Sequence, residues 1–174
     1  LASAGDTHQY LTFSLGGEMY AVGILNVKEI IEYGSLTTIP MMPDFIRGVI
    51  NLRGAVVPVL DLLARFGSGR TEAARRTCIV IVEVRNGNDT LDVGVLVDAV
   101  NEVVGIPAEE IEPAPTLGSS IDTRFVAGMG KVDGQFVVIL NVDQVADCAS
   151  LASKNMGKST LDEWIRAIAG AQGR

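Results

Sequence analysis

The sequence predicts a mostly β protein made of two small barrels of about five short strands each, packed against one another. Two observations lead to this prediction. Apolar runs of strand length, rich in Val, Ile and Leu, recur along the 174 residues and are separated by glycine-containing turns. The first half of the chain also resembles the second half in the order of its elements. Because so few strands cannot bury both faces of an open sheet, each half is expected to close into a barrel.

The internal repeat is clearest around two glycine turns. The stretch 45–61 aligns without a gap on the stretch 125–141, and each contains an apolar run, a turn and a second apolar run. The matched turns, Arg53-Gly54 and Asp133-Gly134, place glycine where a tight connection requires a positive φ. The sequence therefore predicts one β-hairpin at the same position in each half.

The rest of the repeat sets the domain organisation. Residues 22–30 resemble residues 93–103, so both halves are interpreted as strand, turn, strand, short helix, irregular link, hairpin and short helix. Small and charged residues between the halves predict a mobile linker. The predicted units are the domain 9–148, its approximate halves 9–66 and 77–147, and the linker 67–76.

Glycine turns and proline breaks divide the first half into short elements. After the first two strands, the apolar spacing over Leu25–Ile31 predicts a short helix that exposes Lys28 and Glu29. An irregular link with two prolines then leads to the hairpin. The predicted strands of this half are 9–15, 19–24, 49–52 and 55–60.

The polar residues of the first hairpin are candidates for contact with other groups. With a strand period of two, Asn51 and Arg53 share the face opposite the neighbouring apolar residues. Arg53 has two interpretations: a local ion pair with Asp61 or Glu29, or a contact in a protein interface. Asp61 is also positioned to cap a short helix that ends at Gly67.

The second half is predicted to repeat this order. An Asn-Gly turn within 85–89 separates two strands, and Asp98–Val104 repeats the pattern of the short helix. One helical turn over Asp143–Asp147 comes after the second hairpin. The predicted strands of this half are 77–84, 90–97, 124–132 and 135–142.

A separate amphipathic helix is predicted over 159–169, with Ser159 or Thr160 as its N-cap. Two roles remain open for it. It either docks on its own barrel or packs on a neighbouring chain or partner, which would allow self-association. Its apolar stripe, at positions i, i+3, i+4 and i+7, consists of Leu161, Trp164, Ile165 and Ile168.

Composition excludes several classes of function. A formal charge of −7 without a cluster of Lys and Arg argues against a nucleic-acid partner. No apolar run reaches the roughly 18 residues of a membrane helix, and the first residues lack the features of a signal peptide. The two cysteines, Cys78 and Cys148, are expected to be buried thiols in a reducing compartment, so the predicted location is the cytoplasm.

Residue patterns typical of catalysis, metal binding or cofactor binding are not found. The single histidine, His8, cannot form a two-histidine metal site and lies close to the chain start. Gly128-Met129-Gly130 imitates a dinucleotide fingerprint, but it lacks the third glycine and leads into a hairpin. We therefore expect a protein without cofactors that works by binding. Val27, Ile30 and Ile31 are either core residues or contact residues of such a surface.

Four stretches resemble the hallmark segments of the family of the chemotaxis coupling protein CheW. The resemblance runs in order from about Gln9 to Asp147, without large insertions. It implies two SH3-like five-stranded β-barrels around a shared apolar interface. It also implies a non-catalytic adaptor that joins the histidine kinase CheA to the cytoplasmic tips of methyl-accepting chemoreceptors in arrays at the inner membrane. The stretches are Phe45–Leu62, Gly94–Asp98, Ile111–Pro115 and Phe125–Gly130.

The resemblance also implies which residues contact the kinase and the receptors, with no insertion of the chain into the membrane. Two alternatives remain: a CheW-like module of a longer scaffold or of the kinase regulatory domain, and a small-molecule-binding barrel. The protein-contact residues expected from the resemblance and from the polar hairpin are Val27, Glu29, Gly48, Asn51, Arg53, Gly54, Gly94 and Gly128.

Overall fold

The computed structural model describes residues 6–34, 36–40, 42–86, 88–114 and 123–149, and all structural statements below concern these residues. Most of them lie in ten β-strands. The short helix α1 and the helix α2 come after the two hairpins. The strands are β1 (Thr7–Leu15), β2 (Glu18–Gly23), β3 (Val27–Glu32), β4 (Ile46–Leu52), β5 (Ala55–Leu60), β6 (Cys78–Asn86), β7 (Asp89–Val97), β8 (Ala99–Pro107), β9 (Val126–Val132) and β10 (Gln135–Leu140); the helices are α1 (Leu62–Arg65) and α2 (142–149), with 3₁₀-helices at Ile24–Asn26, Ala108–Glu110 and Thr123–Phe125.

The strands form two five-stranded sheets of the same design. Sheet I has the order β8-β1-β2-β10-β9, and sheet II has the order β3-β6-β7-β5-β4. Neighbouring strands are antiparallel, except for one parallel pair in each sheet: β2 with β10, and β5 with β7. The predicted mostly β fold with two five-stranded units is confirmed, and the SH3-like description fits, although neither sheet closes fully into a barrel.

The strands are distributed differently from the prediction that each half forms its own barrel. Sheet I combines β1 and β2 of the first half with β8 to β10 of the second half. Sheet II combines β3 to β5 with β6 and β7. The two halves therefore exchange their first hairpins. The prediction was wrong because the pattern of a strand specifies which side chains are buried, but not which of two similar sheets receives it.

Four apolar clusters of buried residues lie in the described part of the chain. The largest lies between the sheets and combines Phe13 and Tyr20 of sheet I with Val80 and Val95 of sheet II. Each sheet also encloses a smaller cluster of its own. The cluster of sheet I includes Ile139, and the cluster of sheet II includes Ile81. A shared interface between two curled sheets is the arrangement that the family resemblance implied.

Backbone contacts confirm the repeat of the two hairpins. The amide of Asp61 donates to the carbonyl of Phe45 at 2.7 Å, and the amide of Asn141 donates to the carbonyl of Phe125 at the same distance. Both turns have two successive residues with positive φ, 53° and 87° at Arg53 and Gly54, and 50° and 81° at Asp133-Gly134. The hairpins therefore share one backbone design, with positive φ at both central turn residues as in type I′ turns.

The predicted short helix over Leu25–Ile31 is wrong, and so is its repeat over Asp98–Val104. A single 3₁₀ turn at Ile24–Asn26 is followed by the edge strand β3, and residues 99–104 belong to the edge strand β8. A short run of apolar residues is compatible with both periods, and pairing with a neighbouring strand decides between them. As a result, Val27 and Glu29 project from a strand, with alternating half-buried and exposed residues along β3.

The two edge strands nevertheless correspond to each other, as 22–30 and 93–103 suggested. Each pairs with the first strand of a hairpin, β3 with β6 and β8 with β1, and each pairing contains a register shift. The register makes Val27 the counterpart of Val100, and Ile30 the counterpart of Val103. In the parallel pairs, Gly94 and Ala21 lie opposite equivalent residues of β5 and β10, so they occupy equivalent positions of the two sheets. The alignment of 22–30 with 93–103 instead matches Gly94 with Gly23, which is wrong by two residues.

The linker 67–76, predicted as a mobile connection, is held to the fold by hydrogen bonds at Thr71. Thr71 is buried, and its amide and hydroxyl both donate to the carboxylate of Asp61 at 2.8 Å. Arg47 donates to Asp61 at 3.0 Å and to the carbonyl of Thr71 at 2.7 Å. Asp61 precedes α1 as predicted, but its side chain makes no cap hydrogen bond.

The end of the chain is described up to α2, which is longer than the single turn predicted over Asp143–Asp147. Cys148 on this helix is buried, Cys78 is half-buried, and both are free thiols. The predicted helix 159–169 lies outside the described residues. Among the helices that are described, none is long and apolar enough to cross a membrane.

Candidate protein-interaction site

The structure brings Glu29 and Arg53 together in an exposed ion pair. Both guanidinium nitrogens donate to the carboxylate: Nη1 to Oε2, and Nη2 to Oε1 at 3.2 Å. Glu29 lies on β3 and Arg53 in the β4–β5 turn, which belong to opposite edges of sheet II. The pair therefore forms where the curled sheet brings its two edges close. Of the two local partners predicted for Arg53, Glu29 is confirmed, whereas Asp61 binds Arg47 instead.

The turn that presents Arg53 is built by its neighbours. The side-chain oxygen of Asn51 accepts a hydrogen bond from the amide of Gly54 at 2.9 Å, which fixes the start of the turn. Gly54 has open space around it and supplies the second positive φ. The Arg53 side chain is consequently 75% exposed although its head group is anchored. Asn51 and Gly54 thus position the guanidinium.

A second cation lies beside this pair. The ammonium of Lys28 lies 3.0 Å from the carboxylate of Asp92 and 3.3 Å from that of Glu83, across two neighbouring strands. The register shift between Val27 and Glu29 leaves Lys28 without a partner residue on β6. Such a bulge redirects side chains at a sheet edge. The result is an open pocket of mixed charge, lined by Lys28, Glu29, Leu52, Arg53 and Asp92.

Hydrogen bonding keeps this pocket charged. The hydrogen bonds from Arg53 lower the pKa of Glu29 below its ordinary value, against a smaller opposing effect of burial. The same contact raises the pKa of Arg53. Hydrogen bonds to Asp92 and then Glu83 raise the pKa of Lys28. All three groups therefore remain ionised at neutral pH, which gives a fixed pattern of charge on the surface.

A mainly apolar groove, which we name the junction groove, lies on the other side of the 3₁₀ turn that leads into β3. Its lining also includes the polar residues Thr7, His8, Gln9 and Asn26. Leu140 and Val142 line it where β10 ends and α2 begins. Tyr10 and Ile24 line it, and both are half-buried. Leu25 is 96% exposed, the largest exposure among the exposed large apolar residues. The site therefore combines a charged pocket and an apolar groove on either side of one turn.

The three remaining glycines of the predicted set lie inside the fold. A Cβ atom on Gly48 would come within 2.6 Å of the backbone oxygen of Thr37, whose residue pairs with the outer edge of β4. On Gly94 it would meet a methyl group of Ile79 at 2.8 Å, and on Gly128 one of Ile111 at 2.6 Å. These glycines permit close packing and are not surface contacts in themselves. They shape the elements that carry the surface.

The structure thus unites part of the predicted set and adds residues that the sequence reasoning missed. Val27 is half-buried and packs on the core between the sheets. Gly94 lies in sheet II, two strands from Glu29 in the same register through Ile81, whereas Gly128 lies in sheet I. Leu25, Lys28 and Asp92 were missed as site residues. Leu25 was missed because the predicted helix placed it on a buried face. The only feature of the sequence that argues against this placement is the Gly-Ile pair directly before Leu25, at the end of a strand.

Sheet I carries a modified copy of the charged pocket. Asn101 takes the place of Lys28 and donates to the hydroxyl of Ser14 at 3.2 Å. Glu102 follows it, and Asp133 occupies the turn position of Arg53. Nearby on the same sheet, two apolar side chains are exposed: Val103 at 50% and Phe136 at 62%. The two sheets therefore present different surfaces on equivalent backbones.

Comparison with known proteins agrees with this architecture. The family model of the CheW-like domain matches residues 9–149. The chain belongs to the CheW-like domain family. A CheW-like relative, the chemotaxis protein CheW of Klebsiella aerogenes, is 33% identical over 159 residues, covering 90% of this chain and 93% of the relative.

Other members of the CheW-like family extend the comparison. The chemotaxis protein CheW of Bacillus subtilis is 33% identical over 144 residues, covering 82% of this chain and 89% of the relative. The crystal structure of the scaffolding protein TtCheW from Thermoanaerobacter tengcongensis superposes with a TM-score of 0.71. It is 39% identical in sequence, and the match covers 79% of this chain and 86% of that chain.

Proposed function

We propose that the chain is a non-catalytic adaptor of bacterial chemosensory signalling that couples the histidine kinase CheA to the cytoplasmic tips of methyl-accepting chemoreceptors. Membership of the CheW-like family supports this function, since relatives over most of the chain are chemotaxis proteins and a similar solved structure is a scaffolding protein. The adaptor acts in the cytoplasm, at receptor arrays.

The observation that carries the proposal is the pairing of Glu29 with Arg53 beside the junction groove. A receptor tip is a helical hairpin, and an apolar groove accepts one face of a helix. Leu25, at 96% exposure, gains the most apolar burial from such a contact. The ion pair at the rim of the groove presents a positive and a negative charge. These charges are expected to select the register of the bound receptor helix more than they increase its affinity.

The kinase is proposed to contact sheet I. Its edge strand β8 and its second hairpin expose Val103 and Phe136. An apolar patch of this kind suits a second protein surface. Two partners on different sheets can be held at the same time. A change in the packing of one can then affect the other through a rigid body, as coupling between two sites requires.

The charge at position 53 provides the test for receptor binding. Asp133 shows that Asp fits this type of turn at a φ of 50°, so Arg53→Asp is expected to fold. It removes the cation and places a second carboxylate next to Glu29. We expect at least a tenfold loss of affinity for a receptor cytoplasmic fragment, about 1.4 kcal/mol or more. Binding is measured by pull-down and titration, with and without the kinase.

The matched control is the converse change, Asp133→Arg, at the equivalent turn of sheet I. It should leave receptor binding unchanged. For the kinase, Phe136→Ala should weaken capture of the CheA regulatory domain while receptor binding persists. Receptor binding that survives Arg53→Asp would refute the assignment of the receptor site. Failure of the wild-type chain to bind either partner would refute the adaptor function.

A further inference from the structure

A second open pocket lies beside β4, and two of its lining residues are arginines. None of its lining residues is acidic, whereas the charged pocket at Glu29 has two carboxylates next to its two cations. A cavity lined by cations attracts anions locally, even on a protein with a formal charge of −7. We name this cavity the arginine pocket. Its lining residues are Tyr33, Gly34, Leu36, Thr38, Arg47 and Arg70.

Arg47 presents one edge of its guanidinium group to the arginine pocket. Its Nη1 donates to the buried carboxylate of Asp61 at 3.0 Å and to the carbonyl of Thr71 at 2.7 Å. Its other N–H groups have no acceptor among the described residues. No buried side-chain nitrogen in that part of the chain lacks a partner, so these N–H groups are open to solvent. Asp61 therefore orients the guanidinium fork and leaves donors available for a bound oxyanion.

Arg70 supplies a positive charge that is not balanced. Its side chain is exposed and has no carboxylate partner within the described ranges. Arg70 directly precedes Thr71, whose amide and hydroxyl donate to Asp61, so the linker is anchored next to it. Two arginines against the one carboxylate of Asp61 leave a net positive charge at the pocket.

Two hydroxyl groups complete the donors of the arginine pocket. Thr38 is exposed and Tyr33 is half-buried, and neither hydroxyl is hydrogen-bonded within the described part of the chain. The backbone beside each is held in place. The amide of Tyr33 donates to the carbonyl of Thr77 at 3.2 Å, and Thr37 exchanges two hydrogen bonds with Val49 at 2.9 and 3.0 Å. The donors therefore come from segments that the fold already anchors.

We propose that the arginine pocket binds the phosphate group of a small molecule, with the free edge of Arg47 and the side chain of Arg70 on its oxygens. Two guanidinium groups and two hydroxyls offer more donors than the two oxygens of a carboxylate use. A phosphate group has three strong acceptor oxygens, and a guanidinium fork matches its geometry. Inorganic phosphate and a phosphate monoester share this chemistry. The proposal is independent of the adaptor function.

The test is a titration of the full chain with inorganic phosphate, followed by NMR of the backbone amides at constant ionic strength. We expect saturable shifts, centred on Tyr33, Thr38, Arg47 and Arg70, with a dissociation constant in the millimolar range. Arg70→Gln removes one guanidinium group and should weaken binding about fivefold or more, because charge-assisted hydrogen bonds are lost. Since Arg70 is exposed and has no carboxylate partner among the described residues, the variant should keep its urea unfolding midpoint without phosphate.

The matched control is Arg85→Gln, which makes the same change of charge at an exposed position of β6. It should leave phosphate binding unchanged. Equal weakening in Arg70→Gln and Arg85→Gln overturns the proposal, because phosphate then responds only to overall charge. The absence of saturable shifts in the wild-type chain overturns it as well. So does acetate that binds as tightly as phosphate, since the pocket then takes any anion.

A second titration with glycerol phosphate identifies the source of the phosphate group. Tighter binding of glycerol phosphate than of inorganic phosphate supports the proposal with a monoester as the ligand. Weaker binding of glycerol phosphate supports it with free phosphate as the ligand. In both cases Arg70→Gln should weaken binding, and an unchanged affinity in this variant overturns the assignment of the pocket.

Discussion

The two hairpins of the molecule share a backbone and differ in their side chains. Hairpin 45–61 and hairpin 125–141 have the same amide-to-carbonyl contact at 2.7 Å and the same pair of positive φ angles. In the first hairpin, the buried carboxylate of Asp61 forms an ion pair with Arg47, whose side chain is 12% exposed. The second hairpin has Ala127 and Asn141 at these positions. Equivalent turns can therefore carry different interactions without a change of fold.

The segments that come after the two hairpins explain the difference. The first hairpin leads through α1 into the linker 67–76, and the Arg47–Asp61 pair holds this linker at Thr71. The second hairpin leads into α2, and Asn141 accepts a hydrogen bond from the amide of Asp143 at 3.0 Å, as an N-cap does. The carboxylate of Asp61 therefore holds the linker in the first half, whereas the side-chain amide of Asn141 caps helix α2 in the second half.

The largest expected effect is at this pair of positions. Asp61→Ala leaves Arg47 buried without its carboxylate and removes the acceptor of two hydrogen bonds from Thr71. Removing one partner of a buried ion pair typically costs about 3–5 kcal/mol, so we expect a loss of that size in the free energy of unfolding. Urea denaturation followed by circular dichroism measures it.

The equivalent change in the second half is the control. Asn141→Ala removes only a helix cap, with an expected cost of about 1 kcal/mol. Similar losses in the free energy of unfolding for the two variants would contradict this account, because Asp61 would then contribute no more than a helix N-cap does. A double variant, Arg47→Ala with Asp61→Asn, should recover part of the loss, since it removes the unpaired buried charge.

The next effect concerns the matched glycines. Gly48→Ala brings a Cβ atom within 2.6 Å of a backbone oxygen that pairs with β4, so the strand itself must shift. We expect a cost of roughly 1–3 kcal/mol. Gly128→Ala meets a methyl group of the half-buried Ile111, which can move, so its cost should be lower. Unfolding midpoints of the two variants test the order, and the reverse order would contradict this account of the contacts.

The smallest effect is on the pH dependence of the exposed pair. Arg53 lowers the pKa of Glu29, so the pair stabilises the fold above the ordinary pKa of Glu and loses this contribution as the pH falls through the lowered value. In Arg53→Gln the pKa of Glu29 should rise toward its ordinary value. Carbon NMR of the side-chain carboxyl measures the titration, and any stability difference from wild type should vanish at acidic pH. An unchanged Glu29 titration would show that the pair does not form in solution.

The sequence was sufficient for features that depend on local chemistry. The glycine turns and the repeat of the hairpins follow from turn residues and period. Charge left Asp61 and Glu29 as candidate partners of Arg53, and the structure shows Glu29. Two features could not be predicted in this way. The edge strand β3 was taken for a helix because its short apolar run fits both periods. The exchange of hairpins was missed because two similar sheets offer the same apolar surface to either hairpin.

The crossed distribution of strands has a consequence for the synthesis of the chain. Strands β1 and β2 leave the ribosome before the other described strands, but their sheet is completed only by β8 to β10, so sheet I cannot assemble before Leu140 has emerged. Sheet II, in the same way, waits for β7. Neither half can then serve as a folded nucleus for the other, and pairings this distant along the chain are slow to form. Sheet II is therefore expected to form before sheet I during synthesis, and the apolar strands β1 and β2 need protection until β10 has emerged.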